Sequence, residues 1–197
     1  MKTKLHNLAH VQSGYQFRGR VEPHPQGDVS VIQVKDLRDN AGLNADALIR
    51  IKLDKDPGPY LVQEGDVLFL SRGHQLFATA ITGAPGRTIA PGYFFIIRLH
   101  DSTVIPGYVA WYINQPPALN RLKPSHAGTY MPIVPKSAFE ELEIEIPPLT
   151  IQRAIVALDE LSRKERRLCA ELEQTRRQMI ETVCLRAISD HTKGIKP

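Results

Sequence analysis

Residues 151–187 contain neither glycine nor proline and consist largely of Arg, Glu, Leu, Gln and Ala. Apolar residues recur there with a seven-residue period, and seven of the ten a and d positions from Ile151 to Thr182 are apolar. This pattern is typical of a helix that packs against another helix. Because such a helix would be roughly 55 Å long, the residues that precede it could not cover the whole stripe. The sequence therefore predicts a partner helix.

We predict that the partner helix is bound through the large apolar side chains of this stripe, which are Ile151, Leu158, Leu161, Leu168, Leu172 and Met179. The predicted helix occupies residues 150–188. Residues 1–149 precede it as a globular domain, and residues 189–197 follow it as a polar, flexible tail.

The globular part alternates short apolar segments with turn signals. Their β-branched and aromatic content predicts strands at residues 29–34, 47–53, 66–71, 76–82, 93–99 and 141–146. One helix is predicted over 106–115, and another is predicted to begin near Ser137, because Ser137 and Glu140 have the spacing of a capping box. The predicted class is α+β, a mixed α/β globule with a curved sheet followed by a long coiled-coil helix.

Charge and composition indicate a soluble, cytoplasmic protein. The net charge of +4 is spread thinly, with 15 Lys and Arg against 14 Asp and Glu in residues 1–150 and 10 against 7 thereafter. No apolar run is long enough to span a membrane, and the N-terminus lacks the apolar centre of a signal peptide. Cys169 and Cys184 lie on the same predicted helix and are read as free thiols, with a disulfide between chains as the alternative.

Motifs for catalysis or metal binding are missing from the sequence. His6 and His10 could share a helical face, but no third ligand is in view, so a solvated pair is favoured. GAPGRT (83–88) lacks the Lys-Ser/Thr ending of a phosphate loop and is read as a turn. NQPP (114–117) resembles a motif of amino-methyltransferases but has Gln115 inserted and Ala118 in place of the aromatic residue. We therefore predict a non-catalytic chain with no cofactor and no metal.

Several segments, in this order, resemble a target-recognition domain of the DNA specificity subunit of type I restriction-modification systems. They are LHNLAHVQSGYQFRG (5–19), VIQVKDL (31–37), EGDVLFLSRG (64–73) and GTYMPIVPKSAFEELEIEIPPLTIQRAIVALDEL (128–161). The last is the most specific, because a Gly-Ser/Thr loop, a short helix, an Ile-Pro-Pro-Leu strand end and a glutamine precede the long helix. The Glu-Glu-Gln that often opens this helix is reduced here to Gln152.

The resemblance implies a half-size subunit, since a full one has two recognition domains and two long helices. A second copy with its helix antiparallel would restore the full arrangement, and two-fold symmetry would make the target two inverted half-sites. The implied partners are double-stranded DNA and methyltransferase subunits, with or without a restriction nuclease. No membrane partner is implied.

The first candidates for DNA contact are Arg72, His74 and Gln75, on a loop between two predicted strands. The functional reading of Arg72 is a bidentate contact with guanine, and the alternative is a surface arginine paired with a carboxylate. Below the loop, Leu68 to Leu70 would hold it in place, and Gly73 would allow the turn.

Further candidates for phosphate or base contacts are Arg18, Arg20, Lys35, Arg87, Lys123, His126, Thr129 and Tyr130. Tyr15 and Phe17 are favoured as core residues over a stacking platform. The basic runs 163–167 and 176–177 are read as a solvated helix face, with docking of a methyltransferase as the alternative.

Two other functions remain open at this point. The chain could be a dimeric adaptor that engages a protein partner through its helix and binds no DNA. An enzyme with an unrecognised site is the third candidate and requires turnover by the purified chain alone.

Overall fold

The computed structural model describes residues 2–37, 43–83, 85–122 and 131–193. The chain divides into two compact units, residues 1–156 and 157–197. In chain order, the strands are β1 (Lys2–Lys4), β2 (Ala9–Ser13), β3 (Val29–Val31), β4 (Ile49–Ile51), β5 (Val67–Leu70), β6 (Ala78–Ala80), β7 (Thr88–Ile89), β8 (Phe94–Leu99) and β9 (Glu143–Glu145). The helices are α1 (Val34–Leu37), α2 (Pro106–Ile113), α3 (Pro116–Leu122), α4 (Lys136–Glu140) and α5 (Leu149–Lys193), with 3-10 turns at Leu5–Asn7, Ala45–Ala47 and Gly58–Tyr60.

The first unit is built around an antiparallel sheet of strand order β2-β8-β5-β6. Every residue of the central strand β5 is buried, because successive side chains enter cores on opposite faces. Val67 and Phe69 pack on the face covered by α2 and α4, whereas Leu68 and Leu70 pack on the other. The ring of Phe69 stacks on Phe139 of α4, with centroids 4.3 Å apart. A continuous apolar run is what a strand covered on both faces requires.

Two smaller sheets complete the first unit. Strand β3 lies between antiparallel β4 and parallel β7, and β1 pairs with β9. The β1–β9 pair carries ion pairs, in which Lys2 and Lys4 lie 3.1 and 2.6 Å from Glu143 and Glu141. Hydrogen bonds from these ammonium groups, together with their positive charge, hold the pKa of each glutamate below its usual value. This pair therefore brings the N-terminus next to the strand that leads into α5.

The predicted mixed α+β class with a long C-terminal helix is confirmed. All six predicted segments contain a strand, but each strand is shorter than predicted. The segment 29–34 ends as a strand at Val31, because Gln33 N–H donates to the Asp36 carboxylate, 2.8 Å away, and the chain turns into α1. The patterns do not predict β1, β2, β7 or α3.

The helix predicted to begin near Ser137 is present, but its predicted cap is wrong. The capping box at Ser137 does not form, because α4 begins at Lys136 after an extended Pro135 and has no side-chain cap. Residues before it are held extended by pairing with Ser71, whose carbonyl accepts the Val134 N–H, so the helix starts where that pairing ends. His6 and His10 share no helical face, since one lies in a 3-10 turn and the other in β2.

The long helix has 45 residues, from Leu149 to Lys193. It begins one residue before the predicted limit and continues five residues past the predicted end at 188. Its extension has a simple cause, since the sequence has no glycine or proline between Leu149 and Gly194 to end the helix. The first two turns, up to Val156, belong to the first unit.

The start of α5 is fixed by the side chain of Gln152, which is fully buried. Its Oε1 accepts the Ile105 N–H at 2.9 Å. Its Nε2 donates to the carbonyls of Thr103 and Pro147, at 2.9 and 2.8 Å. Next to these bonds, Gly107 of α2 packs closely against Val156 of α5, because a Cβ placed on Gly107 would lie 3.2 Å from the Val156 side chain. A single amide therefore joins the start of α2, the end of β9 and the first turn of α5.

We predict that Gln152→Ala lowers the free energy of unfolding of the first unit by roughly 2–4 kcal/mol, because it removes a buried amide and leaves its three main-chain partners without that hydrogen bond. Urea unfolding followed by the fluorescence of Trp111, the chain's one tryptophan, measures this. The control Gln174→Ala, at an exposed position of the same helix, should change stability by less than about 0.5 kcal/mol. Equal effects of the two changes would contradict this role of Gln152.

Candidate nucleic-acid interface

The connection between β5 and β6 presents three polar side chains to solvent. Its base is closed by a hydrogen bond from Leu70 N–H to the Phe77 carbonyl, 2.9 Å long. Gly73 turns the chain with a φ of +112°, a conformation that residues with a Cβ rarely adopt. Arg72, His74 and Gln75 are all exposed. The structure thus confirms that a buried strand supports an exposed loop with a turn at Gly73.

This loop forms a short two-stranded ribbon with residues 132–134. Gly73 N–H donates to the Pro132 carbonyl at 2.9 Å, and Val134 N–H donates to the Ser71 carbonyl at 2.8 Å. Between these bonds Arg72 lies directly opposite Ile133. The ribbon therefore joins segments that are some 60 residues apart in sequence.

The buried side of the ribbon is anchored by Ser71. Its N–H and its hydroxyl both donate to the carbonyl of Tyr93, at 2.9 and 2.8 Å. Burial and the negative charge of Asp36 raise the pKa of the Tyr93 phenol. Helix α1, which carries the exposed Lys35, packs through Leu37 in the same apolar cluster as Leu70 and Tyr93, so it lies near the same end of the sheet.

Asn114 fixes β6, the edge strand on the other side of the loop. Its Oδ1 accepts the Ala78 N–H and its Nδ2 donates to the Ala78 carbonyl, both at 2.7 Å. The amide thus satisfies both main-chain groups of one edge residue, as a neighbouring strand would. Sequence reasoning compared NQPP only with a catalytic motif and missed this structural role of Asn114.

The far end of β5 is fixed by an ion pair. Two guanidinium nitrogens of Arg98, Nε and Nη2, donate to the carboxylate of Asp66, at 2.8 and 2.7 Å. The Asp66 side chain is 2 % exposed, and its hydrogen bonds raise the pKa of Arg98. Bidentate pairing of this kind is strong and directional. Strand β5 is therefore held at both ends, which limits the movement of the loop that follows it.

The Ser13-Gly14-Tyr15 turn lies at the same end of the sheet as the Arg72 loop. Gly14 N–H donates to Phe94 at 2.9 Å and Tyr15 N–H donates to Ala90 at 2.7 Å. A Cβ on Gly14 would lie 2.3 Å from the Ala90 carbonyl oxygen, so only glycine fits this approach. The turn and the Arg72 loop thus flank the segment that leads into β8.

Two aromatic residues, the last residue of this turn and the residue two positions later, pack inward, as predicted. The ring of Tyr15 meets Phe17 and Tyr60 edge-on, with centroids 5.0 and 5.5 Å apart. Both Tyr15 and Phe17 are partly buried against the core of the three-stranded sheet. Arg18 and Arg20, which follow them, are exposed.

The remaining residues predicted to contact DNA do not lie on the Arg72 loop. Arg87 lies 3.1 Å from Asp56 and 3.7 Å from Asp28, so two carboxylates already neutralise its charge. Lys123, His126, Thr129 and Tyr130 lie outside the described residues. The loop residues Arg72, His74 and Gln75 are the predicted candidates that the structure brings together on one element.

Sequence reasoning also missed two exposed apolar residues beside the loop, Met131 and Ile133. Their side chains are 63 % and 51 % exposed. The alternation in MPIVP, in which buried Val134 follows Ile133, was a usable signal that one of these apolar residues faces outward.

The described residues hold no group of three or more His, Cys, Asp or Glu side chains that could bind a metal ion. His6 instead lies 3.4 Å from Glu141. Within the same part of the chain, none of the helices is long and apolar enough to cross a membrane.

In the second unit, helix α5 exposes the predicted stripe. The exposed fractions run from 50 % at Leu168 to 70 % at Leu172, with Leu158, Leu161 and Met179 between them. Ile151, in the first unit, is 49 % exposed. The basic side chains pair locally, as Arg163 does with Asp159 and Arg177 with Glu173, and Cys169 and Cys184 are exposed thiols.

Comparison with known proteins gives a consistent result. A family model described as "type I restriction modification DNA specificity domain" matches residues 1–182. No curated protein sequence matches the chain.

Solved structures with a similar fold include the HsdS subunit from Thermoanaerobacter tengcongensis, with a TM-score of 0.62 and 19% identity over 92% of this chain and 47% of that one. Another is the S subunit of a type I restriction-modification system from M. genitalium, with a TM-score of 0.53 and 14% identity over 82% of this chain and 38% of that one. A third, from work on complex assembly and conformational transition of the type I R-M system, has a TM-score of 0.55 and 18% identity over 85% of this chain and 39% of that one. The chain thus spans less than half the length of these structures.

We predict that Gly73→Ala lowers the free energy of unfolding by about 1–2 kcal/mol, because a Cβ strains the backbone at positive φ. No atom lies within 4 Å of the added Cβ, so strain alone causes the loss. The matched control is Gly19→Ala, where the space is equally open and φ is not positive. Urea unfolding should show no loss for that control, and a loss equal to that of Gly73→Ala would contradict the explanation.

Proposed function

This chain belongs to the family of type I restriction modification DNA specificity domains, and we propose that it acts as a specificity subunit that reads DNA as a dimer. In this proposal the first unit reads one half-site, and the long helix pairs with that of a second copy. Methyltransferase subunits, with or without a nuclease, catalyse the reactions. The complex acts in the cytoplasm. The observation that carries the proposal is the exposed loop Arg72–Gln75 on a firmly held strand.

The chemistry of the loop suits direct reading of base edges. An arginine can donate two hydrogen bonds to guanine O6 and N7, and a glutamine can make two with adenine. Such contacts discriminate between bases only if their donors are held in place. The bonds at Leu70, Ser71 and Gly73 support that requirement, since they fix the main chain on which Arg72 and Gln75 stand.

Phosphate contacts are proposed for the exposed cations at the same end of the sheet. Arg18 and Arg20 follow the turn next to β8, and Lys35 lies on α1. Such contacts position a protein on the duplex and make its affinity depend on salt. Lys123, His126, Thr129 and Tyr130 remain candidates, and Arg87 would first have to leave its two carboxylate partners. The chain's small net charge of +4 predicts weak binding by a single copy.

The apolar stripe that α5 exposes supports dimerisation. The solved subunits that share the fold are longer, and the chain covers 38% to 47% of them. Burying a large aliphatic side chain contributes about 1.5–3 kcal/mol, so pairing of two such stripes has ample driving force. An antiparallel pair of identical helices gives two-fold symmetry, and its length sets the distance between two inverted half-sites.

We predict that a triple substitution of alanine for Arg72, His74 and Gln75 lowers sequence-directed methylation by at least about 100-fold, because each good base contact is worth roughly 1–3 kcal/mol. The chain is co-expressed with a type I methyltransferase subunit, and methylated bases are mapped across the genome. The mass of the dimer should not change.

The control replaces Arg153, His10 and Gln26, exposed residues of the same types, with alanine and should retain methylation. Wild-type methylation by the loop variant would contradict the loop assignment. Methylation without a bipartite inverted motif in the wild type would contradict the symmetric dimer. No motif at all would favour the adaptor that binds no DNA.

We predict that Leu161→Asp combined with Leu168→Asp converts a dimer into a monomer, because two charges would be buried at the helix pair. Sedimentation equilibrium should give about twice 22.1 kDa for the wild type and one chain mass for the variant. Glu160→Ala, at an exposed position outside the a and d residues of the stripe, should remain dimeric. A monomeric wild type, or a dimeric double variant, would contradict pairing through this stripe.

A further inference from the structure

The ribbon beside the Arg72 loop exposes apolar side chains that neither the fold nor the helix pairing uses. Among the described residues up to Val156, the exposed large apolar side chains are those of Tyr60, Met131, Ile133 and Ile151. Tyr60 packs edge-on against Tyr15, and Ile151 belongs to the stripe of α5. Met131 and Ile133 have no such role.

The exposure of Ile133 follows from the register of the ribbon. Val134 is 1 % exposed and Ser71, which lies opposite it, is 2 % exposed, so these two face the core. Side chains alternate along an extended chain, which turns Ile133 and Arg72 to the solvent. Because the Ile133 side chain is half exposed and is not part of the core, a polar residue at this position would be compatible with the fold.

Arg72 and Ile133 are close neighbours on this outer face. The bonds from Gly73 to Pro132 and from Val134 to Ser71 bracket the pair without joining its members directly. Such a non-hydrogen-bonded pair has the shorter separation, with Cα atoms about 4.5 Å apart. Arginine and isoleucine thus present a forked donor and an apolar surface side by side.

The outer face formed by these two side chains is more suitable in size for contact with DNA than for a protein interface. A protein interface buries about 800 Å² on each partner, more than two side chains can supply. The major groove admits a two-stranded ribbon, and there thymine is the one standard base that shows a methyl group. Bases along one strand are about 3.4 Å apart, close to the spacing of this cross-strand pair.

We propose that Ile133 is a specificity-determining residue that packs against the 5-methyl group of a thymine next to the base read by Arg72. The proposal rests on the proposed function, since it needs the loop to lie in the major groove. It adds an apolar contact to the polar readout and assigns one position of the half-site to thymine. Met131, two residues earlier, extends the same apolar surface.

The test uses the full chain in complex with its co-expressed methyltransferase and a duplex that carries the mapped target. Each thymine of the half-site is replaced in turn by uracil, which lacks only the methyl group. Binding constants are measured for the wild type, Ile133→Ala, Ile133→Val and Arg72→Ala. Thermal melting of each variant shows that the fold is retained.

We expect one thymine at which uracil weakens wild-type binding by about 3- to 10-fold, the value of one buried methyl group. Ile133→Ala should bind the thymine duplex more weakly by a similar factor and lose its sensitivity to uracil there. Ile133→Val should keep most of that sensitivity, because it retains branched methyl groups. Arg72→Ala should lose its preference at the neighbouring base and keep the response to uracil.

Two failures are distinguishable. If the wild type directs methylation to a motif but Ile133→Ala responds to uracil as the wild type does, or no thymine responds, the contact by Ile133 is overturned and the proposed function stands. If the complex recognises no motif, the proposed function fails and the contact fails with it.

Discussion

The side chain of Gln152 makes the contact on which the arrangement of the first unit depends. Its amide is buried and takes part in three hydrogen bonds to main-chain groups of segments far apart in sequence. Two of these segments, the entry to α2 and the Pro147-Pro148 step, have no regular partner for these groups. A glutamine is long enough to reach them from the first turn of α5, and it has both a donor and an acceptor. The position of the first turn of α5 is therefore set by the side chain of Gln152.

The parts of the fold that the sequence predicts are those whose pattern is set by burial. Strands β5 and β8 are apolar on both faces, and α5 repeats its apolar residues over many turns. Strand β1 is different, because its residues Lys2–Lys4 are charged or polar and pair with Glu143–Glu145, some 140 residues away. Charge pairing at such a distance has no period along the chain, so a local pattern does not reveal it. The capping box at Ser137 failed for a related reason, since a long-range pairing decides where α4 begins.

For the candidate site, the exposure of a residue is easier to predict from the sequence than the identity of its neighbours in space. Arg72, His74 and Gln75 follow a clear strand, and their exposure is confirmed. The two carboxylates beside Arg87 come from loops whose proximity depends on the three-stranded sheet. The same holds for Ile133, which is opposite Arg72 only because residues 132–134 return to the loop. Tertiary pairing, and not composition, determines these neighbourhoods.

The way in which the Arg72 loop is held has a consequence for how such a protein can change over evolutionary time. The loop is held by main-chain hydrogen bonds at Leu70, Ser71 and Gly73. Two side chains add further bonds to main-chain groups, the Ser71 hydroxyl to Tyr93 and the Asn114 amide to Ala78. None of these bonds involves the side chains of residues 72, 74 or 75. Substitutions at those three positions therefore leave the support intact and cost little stability. The fold can therefore be conserved while the exposed side chains of the loop change. Single substitutions can alter the chemistry of this surface without refolding the domain.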